Sequence, residues 1–473
     1  MASLAGMLKQ QGHCVTGSDA AAYPPMSDLL RELGIPVLEP YAEANLEPRP
    51  DLVVVGNAIS RGNVELEHVL DRRIPFCSMA AILHDEFLVG REPLVVAGTH
   101  GKTTTTSMLA WIYEVASRVD IDSRGEVASR RGAALAPSFL IGGVAENFGT
   151  SFMVRATKPF ILEGDEYDTA FFDKGPKFLH YFPDAVILTH VEYDHADIYA
   201  DLAAVKTAFK RLVNLVPRRG RVVAFDGSEN VSECVAKAFC AVERYGFAAG
   251  SNWRLVDLRH DGPLTRWTLL RGGEKFAELS LPMAGEHNAL NATAAAALAA
   301  GQGVPAEAIV EALATFKSVK RRLEVKAVTE GVTIIDDFAH HPTAIRETLR
   351  ALRERYSGQR LIAVLEPRSN TLRRNVFEAA LVESLALADR VIVAAVFKSE
   401  SIPVAERLVP EHVVDALVAC GVPAAVYPDA DAIVSALAPE VRSGDVVAIL
   451  SNGGFGGIYQ KLPRAISGAV VAS

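Results

Sequence analysis

The segment Val95-Val-Ala-Gly98-Thr99-His100-Gly101-Lys102-Thr103-Thr104-Thr-Thr106 constrains this chain more than any other. A strand-type apolar run enters a turn punctuated by two glycines, then Lys-Thr, then helix-forming sequence to about Ala116. Glycines let backbone N–H groups close around phosphate oxygens, and the helix N-terminus behind them adds partial positive charge. In that frame Lys102 reaches the outer phosphates and the Thr103 hydroxyl takes a position on Mg2+. The longer form of the loop carries a glycine five residues before Gly101. Val96 stands there, so Gly98 opens a shortened variant.

Around this loop, short β-branched runs alternate with helix-length amphipathic segments, the pattern of α/β architecture with a parallel sheet. At 473 residues the length suggests about three domains. Three sections follow from the rhythm. Residues 1–90 hold a strand at Asp51–Val55 and open on Met1-Ala-Ser-Leu-Ala-Gly, which reads as helix interior with no strand or glycine turn before it. Residues 91–320 hold strands at Pro93–Ala97, Pro159–Leu162 and Ala185–Leu188 and an Ala-rich helix near 288–300. Residues 321–473 alternate strand and helix down to Val446–Leu450, as an independent doubly wound unit would. Ser117–Pro137, rich in Arg, Asp, Ser and Gly, is expected to be a surface loop.

Composition narrows the function classes. A net charge of −9 argues against a sequence-independent grip on nucleic acid or an anionic membrane. No apolar run approaches the ~20 residues of a membrane span, and no charged leader with an apolar core opens the chain. Five scattered cysteines without a CxxC pair fit a reducing cytoplasm.

A phosphoryl-transfer site needs oxygen or imidazole ligands opposite the phosphate loop. Two segments at predicted strand ends supply them: Glu163-Gly-Asp165-Glu166-Tyr-Asp168 and His190-Val-Glu192-Tyr-Asp194-His195. Ligands of open α/β sheets bind beyond the carboxyl ends of strands, so these positions are candidates. His180, His260 and His412 stand alone and read as structural.

With these segments together, the chain resembles the Mur ligases, ATP-dependent enzymes that form amide bonds in peptidoglycan assembly. The phosphate loop and the two acidic segments carry the resemblance, as do Gly285-Glu-His287-Asn288-Ala-Leu-Asn291, Val319-Lys-Arg-Arg322 and Asp336-Asp337-Phe-Ala-His340-His341-Pro342. Further stretches are similar to the family branch that joins UDP-N-acetylmuramate to the tripeptide L-alanyl-γ-D-glutamyl-meso-diaminopimelate in murein recycling. Among them are Thr16-Gly-Ser18-Asp19, Gly56-Asn-Ala-Ile-Ser-Arg61, Glu366-Pro-Arg368-Ser369-Asn370-Thr371 and Ser451-Asn-Gly-Gly-Phe-Gly-Gly457. The branches that add L-alanine, or a nucleotide-binding relative without ligase activity, are the alternatives.

The resemblance implies three α/β domains: a Rossmann-like UDP-sugar domain lacking its usual first strand, a central ATP domain and a C-terminal amine-substrate domain. It implies ATP and Mg2+ as cofactors and no nucleic-acid or membrane partner. By the same resemblance Lys102, Glu163 and His195 are catalytic, with Thr103, Glu163 and His195 on the metal. Gly98 to Thr104, His287, Asn291, Arg322 and Asp337 contact ATP, while Ser18, Asp19, Asp165, Glu166, Arg368, Ser369 and Asn370 contact the other substrates. Arg suits bidentate carboxylate recognition, which singles out Arg368, with Arg373 or Arg374 as substitutes. Two positions depart from the family pattern: His190 replaces a usual Asn and Phe338 a usual Tyr. The glycines of Gly453–Gly457 fit either an anion-binding turn or a tight packing turn.

Overall fold

The computed structural model describes residues 1–22, 26–118, 133–261 and 264–469. The chain opens on a helix, Ala2–Gln10, and then forms two separate parallel pairs. These are β1 (Gly17–Ser18) with β2 (Val37–Leu38), and β3 (Val53–Val55) with β4 (Phe76–Ser78). Among the described residues the two pairs are not hydrogen-bonded to each other.

The central strands are β5 (Glu92–Ala97), β6 (Ser138–Ala145), β7 (Thr150–Met153), β8 (Pro159–Gly164), the hairpin β9 (Asp168–Ala170) and β10 (Asp173–Pro176), β11 (Ala185–Leu188), β12 (Arg221–Phe225), β13 (Ala241–Gly246), β14 (Trp253–Asp261), β15 (Leu264–Arg271) and β16 (Glu274–Leu281). All but the β9–β10 hairpin join one ten-stranded sheet, ordered β16-β15-β14-β13-β12-β11-β5-β8-β6-β7. Its middle is parallel, and Val95, Val96, Ile161, Ile187 and Val223 are fully buried there. Helices cover both faces of such a sheet, which is why these strands read as unbroken apolar runs.

The antiparallel extension β14–β16 was not part of the sequence expectation. Its signal is present in retrospect: Leu264–Arg271 alternates half-buried and buried positions, and Gly272-Gly273 turns the chain with positive φ.

The helix after β5, Lys102–Arg118, is buried from Thr103 to Ala116. It packs beside Glu286–Gly301, whose Ala292 and Ala294–Ala297 are wholly buried. Alanines keep that neighbour thin enough to lie close. A larger side chain at Ala296 would overpack the contact at a cost of about 1–3 kcal/mol. The expected loop over 117–137 begins later than predicted, since Ser117 and Arg118 still belong to the helix; residues 119–132 lie outside the described residues.

The last sheet comprises β17 (Glu324–Thr329), β18 (Val332–Asp337), β19 (Leu361–Leu365), β20 (Arg390–Ala394), β21 (Ala424–Tyr427) and β22 (Val446–Leu450), ordered β17-β18-β22-β19-β20-β21. All its neighbours are parallel except β17 against β18. The chain leaves β18 and β19 on either side of β22, and a crevice at such a switch point receives ligands. Among the described residues no helix is long and apolar enough to cross a membrane.

Candidate active site

Three adjacent parallel strands, β8, β5 and β11, end together, with Ala97 paired to Gly164 on one side and Leu188 on the other. The phosphate loop and both acidic segments therefore emerge at one sheet edge. Gly98 has φ 138°, and a Cβ there would lie 2.1 Å from Thr189 Oγ1. Gly101 has φ 78°, and its Cβ would meet Asn291 Oδ1 at 2.6 Å. Both glycines are thus required by backbone conformation and by close approach.

Lys102 starts the helix, and its Nζ donates to Gly98 O at 2.7 Å and to the two Glu166 oxygens at 2.9 and 2.8 Å. Glu166, only 1% exposed, also accepts from His195 Nε2 at 3.1 Å. Thr103 Oγ1 donates to Glu163 at 3.0 Å, and Gly142 N holds the other Glu163 oxygen at 2.8 Å. Asp165 pairs with Lys177 at 2.6 Å. Burial alone would lower the His195 pKa, but the Glu166 hydrogen bond and the Asp194 and Glu166 charges outweigh it and raise it. For Glu163 burial wins over Lys102 and pushes its carboxyl upward. That destabilised carboxylate beside a hydroxyl is a donor set suited to a hard divalent cation.

Asn291 lies against Gly101, and His287 stands one turn earlier at the start of the same Ala-rich helix, beside Gly285. The buried Nδ1 of His287 and the buried hydroxyl of Thr99 have no hydrogen-bond partner, as expected where a nucleotide completes the site. Thr104 is buried in the first helical turn. His100 donates to Glu192 at 3.0 Å, and its ring lies 4.5 Å from that of His341. His190 is half-buried against Phe225, and its backbone oxygen accepts from Thr99 N at 2.9 Å.

From the C-terminal section, Arg322 lies over the Phe338 ring at 5.1 Å. Its neighbour Arg321 is occupied structurally by Asp336 and the Ser451 and Gly453 carbonyls. Asp337 is turned inward: its oxygens accept from Leu323 N, Ala339 N and Thr348 Oγ1. Ser18 and Asp19 sit at the β1 end, and among the described residues no hydrogen bond links them to the phosphate loop.

A cavity of about 380 Å³ separates the His195 side of the site from the C-terminal sheet. Arg368, Arg373 and Lys398 line it, together with Phe397, Tyr167 and Asn370. Arg368 stacks on Phe397 at 3.8 Å and reaches Glu366 at 3.3 Å. Ser369 and Asn370 hold the walls. Ser369 Oγ donates to His340 O, and Asn370 binds Arg373, Tyr167 and Asp197. Thr371 Oγ1 donates to Asp194 at 2.6 Å, joining the two walls. Sequence reasoning missed Phe397 and Lys398. Their signal was position, just beyond the carboxyl end of β20. Gly453 is settled as a packing position, because a Cβ there would meet Arg368 Nε at 2.2 Å. His180, His260 and His412 each face an acidic residue, Asp173, Glu354 and Glu378 respectively.

A phosphate loop near a cation-lined cleft between two α/β units is the arrangement of a nucleotide-dependent group-transfer enzyme. Residues 1–87, 96–299 and 321–453 match the Mur ligase family catalytic domain, the Mur ligase middle domain and the Mur ligase glutamate ligase domain. A relative from Escherichia coli, UDP-N-acetylmuramate–L-alanyl-γ-D-glutamyl-meso-2,6-diaminoheptanedioate ligase, is 41% identical over 98% of this chain and 95% of its own. The UDP-N-acetylmuramate–L-alanine ligase of Acidothermus cellulolyticus is 34% identical over 96% and 90%. The crystal structure of a murein peptide ligase from Psychrobacter arcticus superposes with a TM-score of 0.72 at 34% identity, covering 99% and 96% of the two chains. This chain belongs to the Mur ligase family.

Proposed function

We propose that this protein is an ATP-dependent ligase of the cytoplasm that joins UDP-N-acetylmuramate to L-alanyl-γ-D-glutamyl-meso-diaminopimelate in peptidoglycan recycling. The observation that carries the reading is the cavity with Arg368, Arg373 and Lys398 on one wall and His195 on the other. Three cations suit a peptide with several carboxylates, whereas L-alanine carries one. The same peptide is named in the relative that is 41% identical over nearly the whole chain.

In this reading residues 1–90 hold the UDP-sugar, 91–320 the ATP and 321–473 the amine substrate. A carboxylate is a poor electrophile, so the lactyl carboxylate takes the γ-phosphoryl group and ADP departs. The neutral peptide amine attacks the acyl phosphate, loses a proton, and phosphate leaves as the amide forms. Lys102 and the loop N–H groups offset charge on the transferring oxygens. Mg2+, held by Thr103, Glu163 and His195, would supply further neutralisation there. His287, Asn291 and Arg322 orient the nucleotide. The hydrogen bonds joining Asp194 to Thr371 and Asp197 to Asn370 tie the two walls of the cleft together, an arrangement that would limit water at the acyl phosphate.

The test is phosphate release from ATP with UDP-N-acetylmuramate and either the tripeptide or L-alanine. Release that depends on the tripeptide supports the proposal. Preference for L-alanine assigns the chain to the alanine-adding branch, and nucleotide binding without release in either assay leaves a binding protein.

A further inference from the structure

Beside the phosphate loop, three side chains from three separate elements converge. His100 comes from the loop, Glu192 from the segment after β11, and His341 from the turn before the helix Pro342–Arg355. One nitrogen of each ring and one Glu192 oxygen lie within 4.8 Å of one another. The closest approach is His100 Nε2 to Glu192 Oε2 at 3.0 Å, with His341 Nδ1 at 3.7 Å from the same oxygen. The side chains are recessed, at 13%, 31% and 6% exposure.

We propose that His100, Glu192 and His341 form a binding site for a borderline transition-metal ion, with Zn2+ the natural occupant. Two imidazoles and one carboxylate are the donors zinc prefers, and three protein ligands leave a fourth position for water. Around tetrahedral zinc, ligand atoms stand roughly 3.4 Å apart, so the 3.0 Å pair widens slightly and the longer separations contract. Mg2+ demands an octahedral set of oxygens and is a poor match. The ring of His341 is already oriented for the task. Its Nε2 donates to the Tyr193 carbonyl at 3.2 Å, which leaves the Nδ1 lone pair facing the cluster. Ligating histidines are commonly fixed by such a bond from the other ring nitrogen. The Nδ1 bond accepted from Thr343 N is long, at 3.3 Å, and Thr343 Oγ1 already holds Glu192 at 2.7 Å. On binding, the neutral His100 ring takes its other tautomer: the proton moves from Nε2 to Nδ1, and the freed Nε2 lone pair faces the ion. Because His341 belongs to the C-terminal unit and the other two to the central one, the ion pins the units together. This site is separate from the Thr103, Glu163 and His195 set that serves Mg2+.

The experiment uses the full chain, stripped with chelator and titrated with Zn2+ alone, without nucleotide or peptide. Expected are one tightly bound Zn2+ per chain, a raised unfolding temperature, and with Co2+ the intense visible absorption of a tetrahedral site. Glu192→Gln and His341→Ala should each weaken Zn2+ at least about tenfold and abolish the absorption, whereas His195→Ala should leave both in place. Where His341→Ala proves unstable, His341→Gln serves in its stead, with folding checked by circular dichroism. Undiminished Zn2+ binding in the Glu192 and His341 variants, loss in His195→Ala instead, or no bound Zn2+ in the parent overturns the proposal. Since no ligase substrate is present, none of these results depends on the proposed reaction.

Discussion

Lys102 Nζ sits between the two carboxylate oxygens of Glu166, 2.9 and 2.8 Å away, while its own loop carbonyl, Gly98 O, takes a third bond. Burial alone would lower the Lys102 pKa, but the Glu166 and Asp165 charges outweigh it and raise it, so the ammonium persists. The lysine proposed for phosphate is therefore held by a buried acid, a bond that a bound phosphate would have to replace.

Removing Lys102 should do two things at once. Lys102→Ala is expected to abolish tripeptide-dependent phosphate release at saturating ATP and Mg2+. It should also destabilise the fold by about 3–5 kcal/mol, because Glu166 keeps a buried charge with only His195 beside it. Lys102→Ala with Glu166→Gln should recover most of that stability and none of the turnover. Denaturant unfolding and phosphate release measured on the same samples separate the two effects; full turnover in Lys102→Ala would remove it from the phosphate site.

Glu163 and His195 should act on Mg2+ as one unit. Glu163→Gln and His195→Ala are each expected to raise the Mg2+ concentration for half-maximal activity, with the double variant losing less than the sum. Strictly additive losses with unchanged Mg2+ dependence would count against a shared ion.

Arg368 is expected to bind a carboxylate of the peptide. Arg368→Ala should weaken tripeptide by about 1.5–3 kcal/mol and leave ATP and UDP-N-acetylmuramate affinities nearly unchanged. Gly453→Ala should copy much of this defect from the neighbouring strand end on the same wall, since its new methyl would displace the Arg368 side chain. Lys398→Met should raise the KM for tripeptide more than for a peptide with an amidated terminal carboxylate. Apparent affinities for all three substrates decide the matter, and an Arg368→Ala variant that loses ATP instead would reassign the residue.

Acid stability should depend on Glu114. Burial would raise its pKa, but the hydrogen bonds from Arg155 at 2.6 Å and Arg118 at 2.9 Å prevail and lower it. A carboxyl lowered in the folded state stabilises above its ordinary value, about 4.3, and loses that contribution as pH falls through the folded value. Wild type should exceed Glu114→Gln by about 1–3 kcal/mol at pH 7, and the gap should narrow between pH 5 and 3. A gap that stays constant across that range would remove the ion pair as its cause.

Much of the scaffold could be read locally. The strands Ala185–Leu188, Leu361–Leu365 and Val446–Leu450 fall where their apolar runs predict, because a strand buried on both faces needs no more than a short β-branched run bounded by turns. The phosphate loop was legible for a similar reason: its chemistry is carried by consecutive residues, and the two glycines mark the backbone shape directly.

What lay beyond the sequence is whatever depends on residues distant in the chain. The roles of Asp336 and Asp337 look interchangeable as letters, yet packing spends one on Arg321 and the other on interior N–H groups. Arg321 and Arg322 divide in the same way, one clamped by Asp336 and two carbonyls and one lying over the Phe338 ring. The third cation of the cleft, Lys398, and the glycine that admits Arg368 come from strand ends separated from Arg368 by 30 and 85 residues. His100, Glu192 and His341 meet only because sheet register and domain docking bring three turns to one point. Periodicity and turn chemistry act over a few residues, so the sequence alone determined the elements and the phosphate loop. Side-chain partnership is decided by the lowest-energy packing of the whole chain, and only the tertiary structure decided which charges were paired and which were left for a ligand.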